Sequence, residues 1–113
     1  MEESAASEAF SALGNERRLQ IFRLLVQAGP AGIAAGEIAR RLDMLQNTLS
    51  SSLSVLSHAG LITSRREGRS IIYSAAFDRV GQLLDFLVEK CCDGAPQNCP
   101  TFDARQRSAA AGI

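Results

Sequence analysis

Two short amphipathic segments separated by only three residues limit the folds open to this chain more than any other feature. Gly36-Glu37-Ile38-Ala39-Arg40-Arg41-Leu42 reads as a short helix with Ile38 and Leu42 inward. A second helix over about 45–59 sets Leu49, Leu53 and Leu56 at helical spacing and stops at Gly60. Asp43-Met44-Leu45 suffices for a tight turn, and Asp43 with Gln46 three residues on resembles a capping box. Away from the leucines, the second helix carries Gln46, Asn47, Thr48, Ser50, Ser51 and Ser54, short or amide side chains that approach base edges and phosphates closely. Two short helices, a tight turn and a polar second helix match the helix-turn-helix pattern.

The flanking segments supply a scaffold for that pair. Ser4 to Leu13 spaces Ala6, Ala9, Phe10 and Leu13 as one apolar helix face, and Gly14-Asn15 ends it. Asn15 is placed to cap the next helix, in which Leu19, Phe22, Leu25 and Val26 form the expected buried stripe as far as Ala28. Gly29-Pro30-Ala31-Gly32 is a turn, and Ile33 opens a brief extended or linking segment. Beyond Gly60, Leu61 to Arg65 and Ser70 to Ser74 read as strands joined through Arg66-Glu67-Gly68-Arg69. They predict a two-stranded wing, with Arg65, Arg66 and Arg69 near its tip and directed at phosphates.

The last helix is predicted over 76–91, with Phe77, Val80, Leu84, Leu87 and Cys91 in steps of three and four and Leu83 and Val88 widening the apolar surface. Such a stripe suits packing against another helix. The expected architecture is mainly α with a small β-hairpin, a winged helix-turn-helix that dimerises through its N- and C-terminal helices. Phe10, Leu13, Val80, Leu84 and Leu87 are the candidate interface residues. A chain of 113 residues fits one domain, expected over 1–99, with a loose tail over 100–113.

Net charge is formally zero, but the charges segregate along the chain. Between Asn15 and Ser74, eight arginines stand against the four acids Glu16, Glu37, Asp43 and Glu67, and the ends of the chain carry the acidic excess. The positive field therefore coincides with the helix pair and the wing, as double-stranded DNA requires. No apolar run is long enough to span a bilayer, and the acidic start lacks the character of an export signal, so a cytoplasmic protein without a membrane partner is expected.

The only cysteines are Cys91, Cys92 and Cys99, three thiols within nine positions at the end of the last helix. In a reducing compartment they favour a ligand site over a disulfide framework. Gly94 and Pro96 let the helix end and the chain reverse, so that Cys99 can fold back over the pair. Three sulfurs without a fourth ligand suit a pyramidal trivalent centre such as As(III) or Sb(III) better than tetrahedral zinc.

Leu13-Gly14-Asn15-Glu16-Arg17-Arg18-Leu19-Gln20-Ile21, the run Gln46 to Leu56 and Ala59-Gly60-Leu61-Ile62 together resemble the ArsR/SmtB family of bacterial winged-helix repressors over roughly residues 8–92. Glu16 stands where a proline is common in that family, and Ser52 where many relatives carry histidine. The family's acidic and histidine zinc site on the last helix is not matched, since the only histidine is His58. Its cysteine site beside the recognition helix is also absent, since Glu37 to Gln46 holds no cysteine. What remains is similar to the subgroup whose arsenic site uses cysteines near the end of the last helix. The resemblance implies a repressor that binds an inverted-repeat operator as a dimer, needs no cofactor to do so, and lets go when As(III) or Sb(III) binds Cys91, Cys92 and Cys99.

Two other readings respond to the same residues. A thiol-redox or persulfide switch on the same fold would pair Cys99 with Cys91 or Cys92. A small thiol oxidoreductase is opposed by the absence of Cys-x-x-Cys, of a nucleophile with a histidine base and of a glycine-rich phosphate loop. A metal-free protein-interaction module on this scaffold is the remaining class.

Overall fold

The computed structural model describes residues 1–88, a helical body carrying a small antiparallel sheet. In chain order the elements are α1 (Glu3–Leu13), α2 (Glu16–Ala28), a 3-10 turn (Gly29–Ala31), β1 (Ile33–Ala34), α3 (Ala35–Leu42), α4 (Gln46–His58), β2 (Ile62–Glu67), β3 (Ser70–Ala75) and α5 (Phe77–Val88). Ile21, Leu25, Ile38, Leu49, Leu56 and Leu61 are its largest fully buried side chains, so α2, α3, α4 and the entry to the wing share one core. No helix among the described residues is long and apolar enough to cross a membrane.

Asn15 caps α2 as its sequence position predicts, its side-chain oxygen accepting a hydrogen bond from the Arg18 amide at 3.1 Å. Arg18 also closes the end of α1, donating through Nε to the Ala12 carbonyl at 2.6 Å. The buried stripe of α2 is Ile21, Phe22 and Leu25, whereas Leu19 and Val26, expected inside, lie on the surface. The true stripe is centred one helical step away from the expected one, because β3 and α4 approach α2 from that side. In α1 the buried residues are alanines 6, 9 and 12, whose small side chains let the helix lie close to its neighbours, and Phe10 points outward.

The turn between α3 and α4 departs from the capping-box expectation. Asp43 is the C-cap of α3, with φ 51° and ψ 53°, and its amide donates to the Arg40 carbonyl. Asp is among the residues that tolerate this left-handed conformation, so the residue expected to start one helix instead ends the other. Leu45 is the residue that precedes α4, and no side chain caps that helix. Met44, between the two, is buried and anchors the turn to the core.

The sheet has three strands in the order β1-β3-β2, one more than the predicted hairpin. Ile33 pairs with Tyr73 and Ala34 with Ile72, so the extended segment after Gly32 becomes the far edge of the wing. Glu67 and Ser70 close the hairpin around Gly68 and Arg69, and Gly68 at φ 61° supplies the positive dihedral that the first position of such a tight turn demands.

Gly32 is the tightest backbone contact in this region. At φ 73° and ψ −173° it occupies a conformation essentially reserved for glycine, and an added Cβ would lie 2.4 Å from the Tyr73 carbonyl oxygen. Gly29 has a similar backbone but open space around it. Gly32→Ala is expected to lower stability by about 3 kcal/mol and Gly29→Ala by about 1–2 kcal/mol, since both strain the backbone and only the first also meets atoms. Urea unfolding of the two variants measures the difference.

Candidate nucleic-acid interface

The position of α4 follows from its leucines. Leu49, Ser52, Leu53, Leu56 and the following Ala59 are buried and form one stripe. At about 100° per residue, the side directly opposite carries Asn47, Ser51, Ser54 and His58. Asn47, Ser50, Ser51 and Ser54 are exposed, Gln46 is exposed toward one flank, and Thr48 is half-buried on the other. Of the six residues singled out from sequence, Asn47, Ser51 and Ser54 lie at the centre of the outer side, Ser50 beside them, and Gln46 and Thr48 at its two margins. Ser52, the position where a histidine was noted as missing, is buried and faces the core, away from this surface.

His58 ends the outward stripe beside α1. Its Nε2 lies 3.7 Å from Glu8 Oε1, with both side chains largely exposed. The carboxylate at that end leaves the N-terminal two-thirds of α4 as the part open to an anionic partner. An open cavity of about 420 Å³ between α1 and α4, lined by Ser7, Glu8, Arg18, Val55 and His58 among others, adjoins this end.

Three basic groups flank α4 in the chain: the wing tip, Arg65 and the arginines of α3. Arg69 occupies the second position of the hairpin turn and Arg66 the adjoining end of β2, both exposed. Arg65 is different. Its guanidinium donates to the Ala31 carbonyl at 2.7 Å, to the Pro30 carbonyl at 3.5 Å and to Glu67 Oε1 at 3.0 Å. The wing tip therefore presents two arginines with no partner among the described residues and one that is engaged.

The third element, Arg40 and Arg41 of α3, was not singled out as a contact from sequence, although the basic dipeptide on the first helix of the pair is a readable signal, since that helix crosses the DNA backbone in this motif. Both side chains are more than half exposed and both donate to Glu37, Arg41 through Nε at 3.0 Å. The hydrogen bond from Arg40, then that from Arg41, holds the Glu37 carboxyl below its ordinary range, and Glu37 in turn raises Arg40. Glu37 stays ionised at neutral pH and orients the two guanidiniums while cancelling part of their field.

The expected dimer residues divide into two groups. Phe10, Leu84 and Leu87 are exposed, and Phe77 joins them on the outer face of α5. Leu13 and Val80 are half-buried against the chain's own core, so only part of each remains for a partner. Leu83, expected to widen the outward surface, is the buried residue of α5 and fastens that helix to the core. Cys91, Cys92 and Cys99 lie outside the described residues. Within the described residues no group of three histidine, cysteine or acidic side chains converges as a metal site.

The family model of a helix-turn-helix domain matches residues 13–65, from the end of α1 into β2. The chain is 35% identical over 92 residues to YbzH, an uncharacterized HTH-type transcriptional regulator of Bacillus subtilis, covering 71% of this chain and 92% of the relative. It is 31% identical over 94 residues to the transcriptional activator HlyU of Vibrio cholerae, covering 81% of this chain and 84% of the relative. A solved structure of HlyU superposes with a TM-score of 0.64 over 81% of this chain and 99% of that one. Another, of reduced HlyU, gives 0.60 at 29% identity, over 79% of this chain and 90% of that one. A homodimeric winged helix-turn-helix DNA-binding domain from Mycobacterium bovis, described as a possible ArsR-family regulator, matches at 34% identity and a TM-score of 0.62 over 77% of this chain and 81% of that one.

The electrostatics separate the roles of these groups. Arg69→Ala is expected to weaken binding to every duplex sequence alike and to reduce the slope of log affinity against log salt by about one. Glu37→Gln, which frees Arg40 and Arg41, is expected to strengthen binding by about threefold and steepen that slope. Fluorescence anisotropy titrations between low and moderate salt read both changes.

Proposed function

This chain belongs to the ArsR/SmtB-like family of HTH transcriptional regulators, and on that premise we propose that it is a dimeric repressor released from its operator by a thiophilic ligand. The observation that carries the DNA half of the reading is the outward stripe of Asn47, Ser51 and Ser54, set on a core-anchored helix that packs against both α3 and β2, the elements that carry the exposed arginines. An uncharged stripe of donors and acceptors permits base readout, while the arginines on either side supply affinity independent of sequence. The protein is a DNA-binding regulator and the chemistry it performs is binding, with no catalytic step.

Dimerisation is supported by Phe10 of α1 and by Phe77, Leu84 and Leu87 of α5, large apolar side chains that the chain's own core leaves exposed. The homodimer of the Mycobacterium bovis relative supports the same assembly. Two copies of α4 related by a twofold axis would meet successive major grooves about 34 Å apart, so the operator is an inverted repeat with half-sites one helical turn apart. Such a regulator works in the cytoplasm.

The inducer half rests on the donor set. Cys91, Cys92 and Cys99 offer three sulfurs, and the sequence gives them no nearby histidine, so the set fits As(III) or Sb(III). Thiolates are the binding form, which makes affinity rise with pH. Coupling runs through α5, whose described part ends at Val88, just before the cysteines. Near its start, Arg79 lies against Gly60, the residue that ends the α4 segment, where an added Cβ would come within 3.2 Å of Arg79 Nε. A displacement of α5 therefore bears directly on the C-terminal end of the recognition helix, and reciprocity requires the DNA-bound form to hold the ligand less tightly.

A thiol-redox switch on the same cysteines is the second reading, and the solved reduced form of HlyU favours it, because it shows that the redox state of that relative is a defined variable. Titrating the DNA complex with arsenite under reducing conditions, and separately with an oxidant, divides the two. The metalloid reading predicts release by arsenite and loss of most of that response in each of Cys91→Ser, Cys92→Ser and Cys99→Ser. Release by oxidant alone, with one cysteine dispensable, would establish the redox reading in its place.

A further inference from the structure

Arg65 differs from the other arginines of the wing in what its donors do. It stands on β2 opposite Ile72 of β3, which is itself opposite Ala34 of β1, so the three side chains form one row across the sheet. The adjacent row, Ser64, Tyr73 and Ile33, faces the core through the buried Ile33. Arg65 therefore extends over the outer face and crosses β3 to reach the turn on its far side. There it donates to the Ala31 carbonyl at 2.7 Å and the Pro30 carbonyl at 3.5 Å, 34 and 35 residues earlier in the chain. Glu67, on the same face, accepts from Nε at 3.0 Å and balances the charge. Arg66, the next residue of the strand, projects from the opposite face, as strand alternation requires.

The turn that Arg65 grips is tightly constrained. It ends at Gly32, whose φ of 73° and close approach to the Tyr73 carbonyl lock it against β3. A guanidinium is a planar fork, able to donate to two carbonyls and a carboxylate at once, whereas an ammonium is a single point of charge. One end of the clasp is fixed by backbone and the other lies three residues before the hairpin turn.

We infer that Arg65 is a positioning residue: it clamps the wing to the turn preceding β1 and so sets the angle at which Arg66 and Arg69 meet a duplex, without itself holding a phosphate. This rests on the DNA-binding reading and adds to it a division of labour among three arginines that look equivalent in the sequence.

The charge-conserving variant Arg65→Lys separates a clamp from a phosphate contact. On a mixed-sequence duplex, anisotropy titrations are expected to show Arg65→Lys and Arg65→Gln equally weakened, by about tenfold, because neither can make the fork. The further loss from Arg69→Ala is expected to shrink in the Arg65→Lys background, since a misdirected wing has already lost that contact. Affinity within twofold of wild type for Arg65→Lys, with additive losses on adding Arg69→Ala, would overturn the clamp. A second arm uses the protein without DNA. Amide exchange at Gly32, Ile33 and Ile72 should accelerate in Arg65→Lys while Leu25 is unchanged, and unchanged exchange at the first three would also overturn it. In the wild-type chain the Arg65 Nε–H signal should be protected and unmoved by added duplex while that of Arg69 shifts; an Arg65 signal that moves with Arg69 contradicts the inference whatever the variants do. Because the exchange arm needs no duplex, a chain that failed to bind DNA at all would sink the functional reading and leave the clamp to be decided on its own.

Discussion

Everything this molecule presents to a partner depends on the seating of one helix. Leu49, Leu53 and Leu56 bury a single side of α4 against α2, α3 and the start of the wing. Burial of three leucines at helical spacing leaves no rotational freedom, because turning the helix would expose apolar area worth about 2 kcal/mol per side chain. The opposite side is then fixed as the polar one. Asn47, Ser51 and Ser54 at its centre are small, so the helix axis can come close to base edges, and uncharged, so they do not compete with the arginines that supply attraction.

The charged groups are arranged around that helix by separate devices. On α3, Glu37 holds Arg40 and Arg41 in one orientation and moderates their field. On the wing, a tight turn around Gly68 presents Arg69, while the sheet fastens its base to the body through β1. At the end of α4, Gly60 with φ 78° turns the chain into the wing and receives Arg79 from α5. Through these joints the end of α4 is tied both to the wing and to α5.

Much of this was legible in the sequence because it is written in local pattern. The helix pair, the cap at Asn15, the glycine of the hairpin and the polar face of α4 follow from spacings of a few residues. What escaped depends on partners distant in the chain. β1 has only two residues, so the sequence shows no more than a brief extended or linking segment from Ile33, and pairing with β3 is what makes it a strand of the sheet. The inward side of α2 is decided by where β3 and α4 approach, which is why Leu19 and Val26 fit the expected stripe although they are exposed, and the fully buried Ile21 falls outside it. Asp43 fits a cap in either direction, and only the left-handed backbone shows which helix it serves. Arg65 reads as one more wing cation until its carbonyl partners 34 and 35 residues away are known. The cysteines are conspicuous in the sequence and lie beyond the described residues.

If the outward stripe of α4 and the tip of the wing form one surface, both meet the duplex together. An amide-resolved NMR titration of the full chain with an inverted-repeat duplex addresses it directly. The account predicts that the largest changes fall on Asn47, Ser50, Ser51 and Ser54 together with Arg66, Gly68 and Arg69, while Ile21 and Leu25 stay still. Changes concentrated on the exposed edge of α2, around Leu19, Arg23 and Val26, with α4 silent, would contradict it.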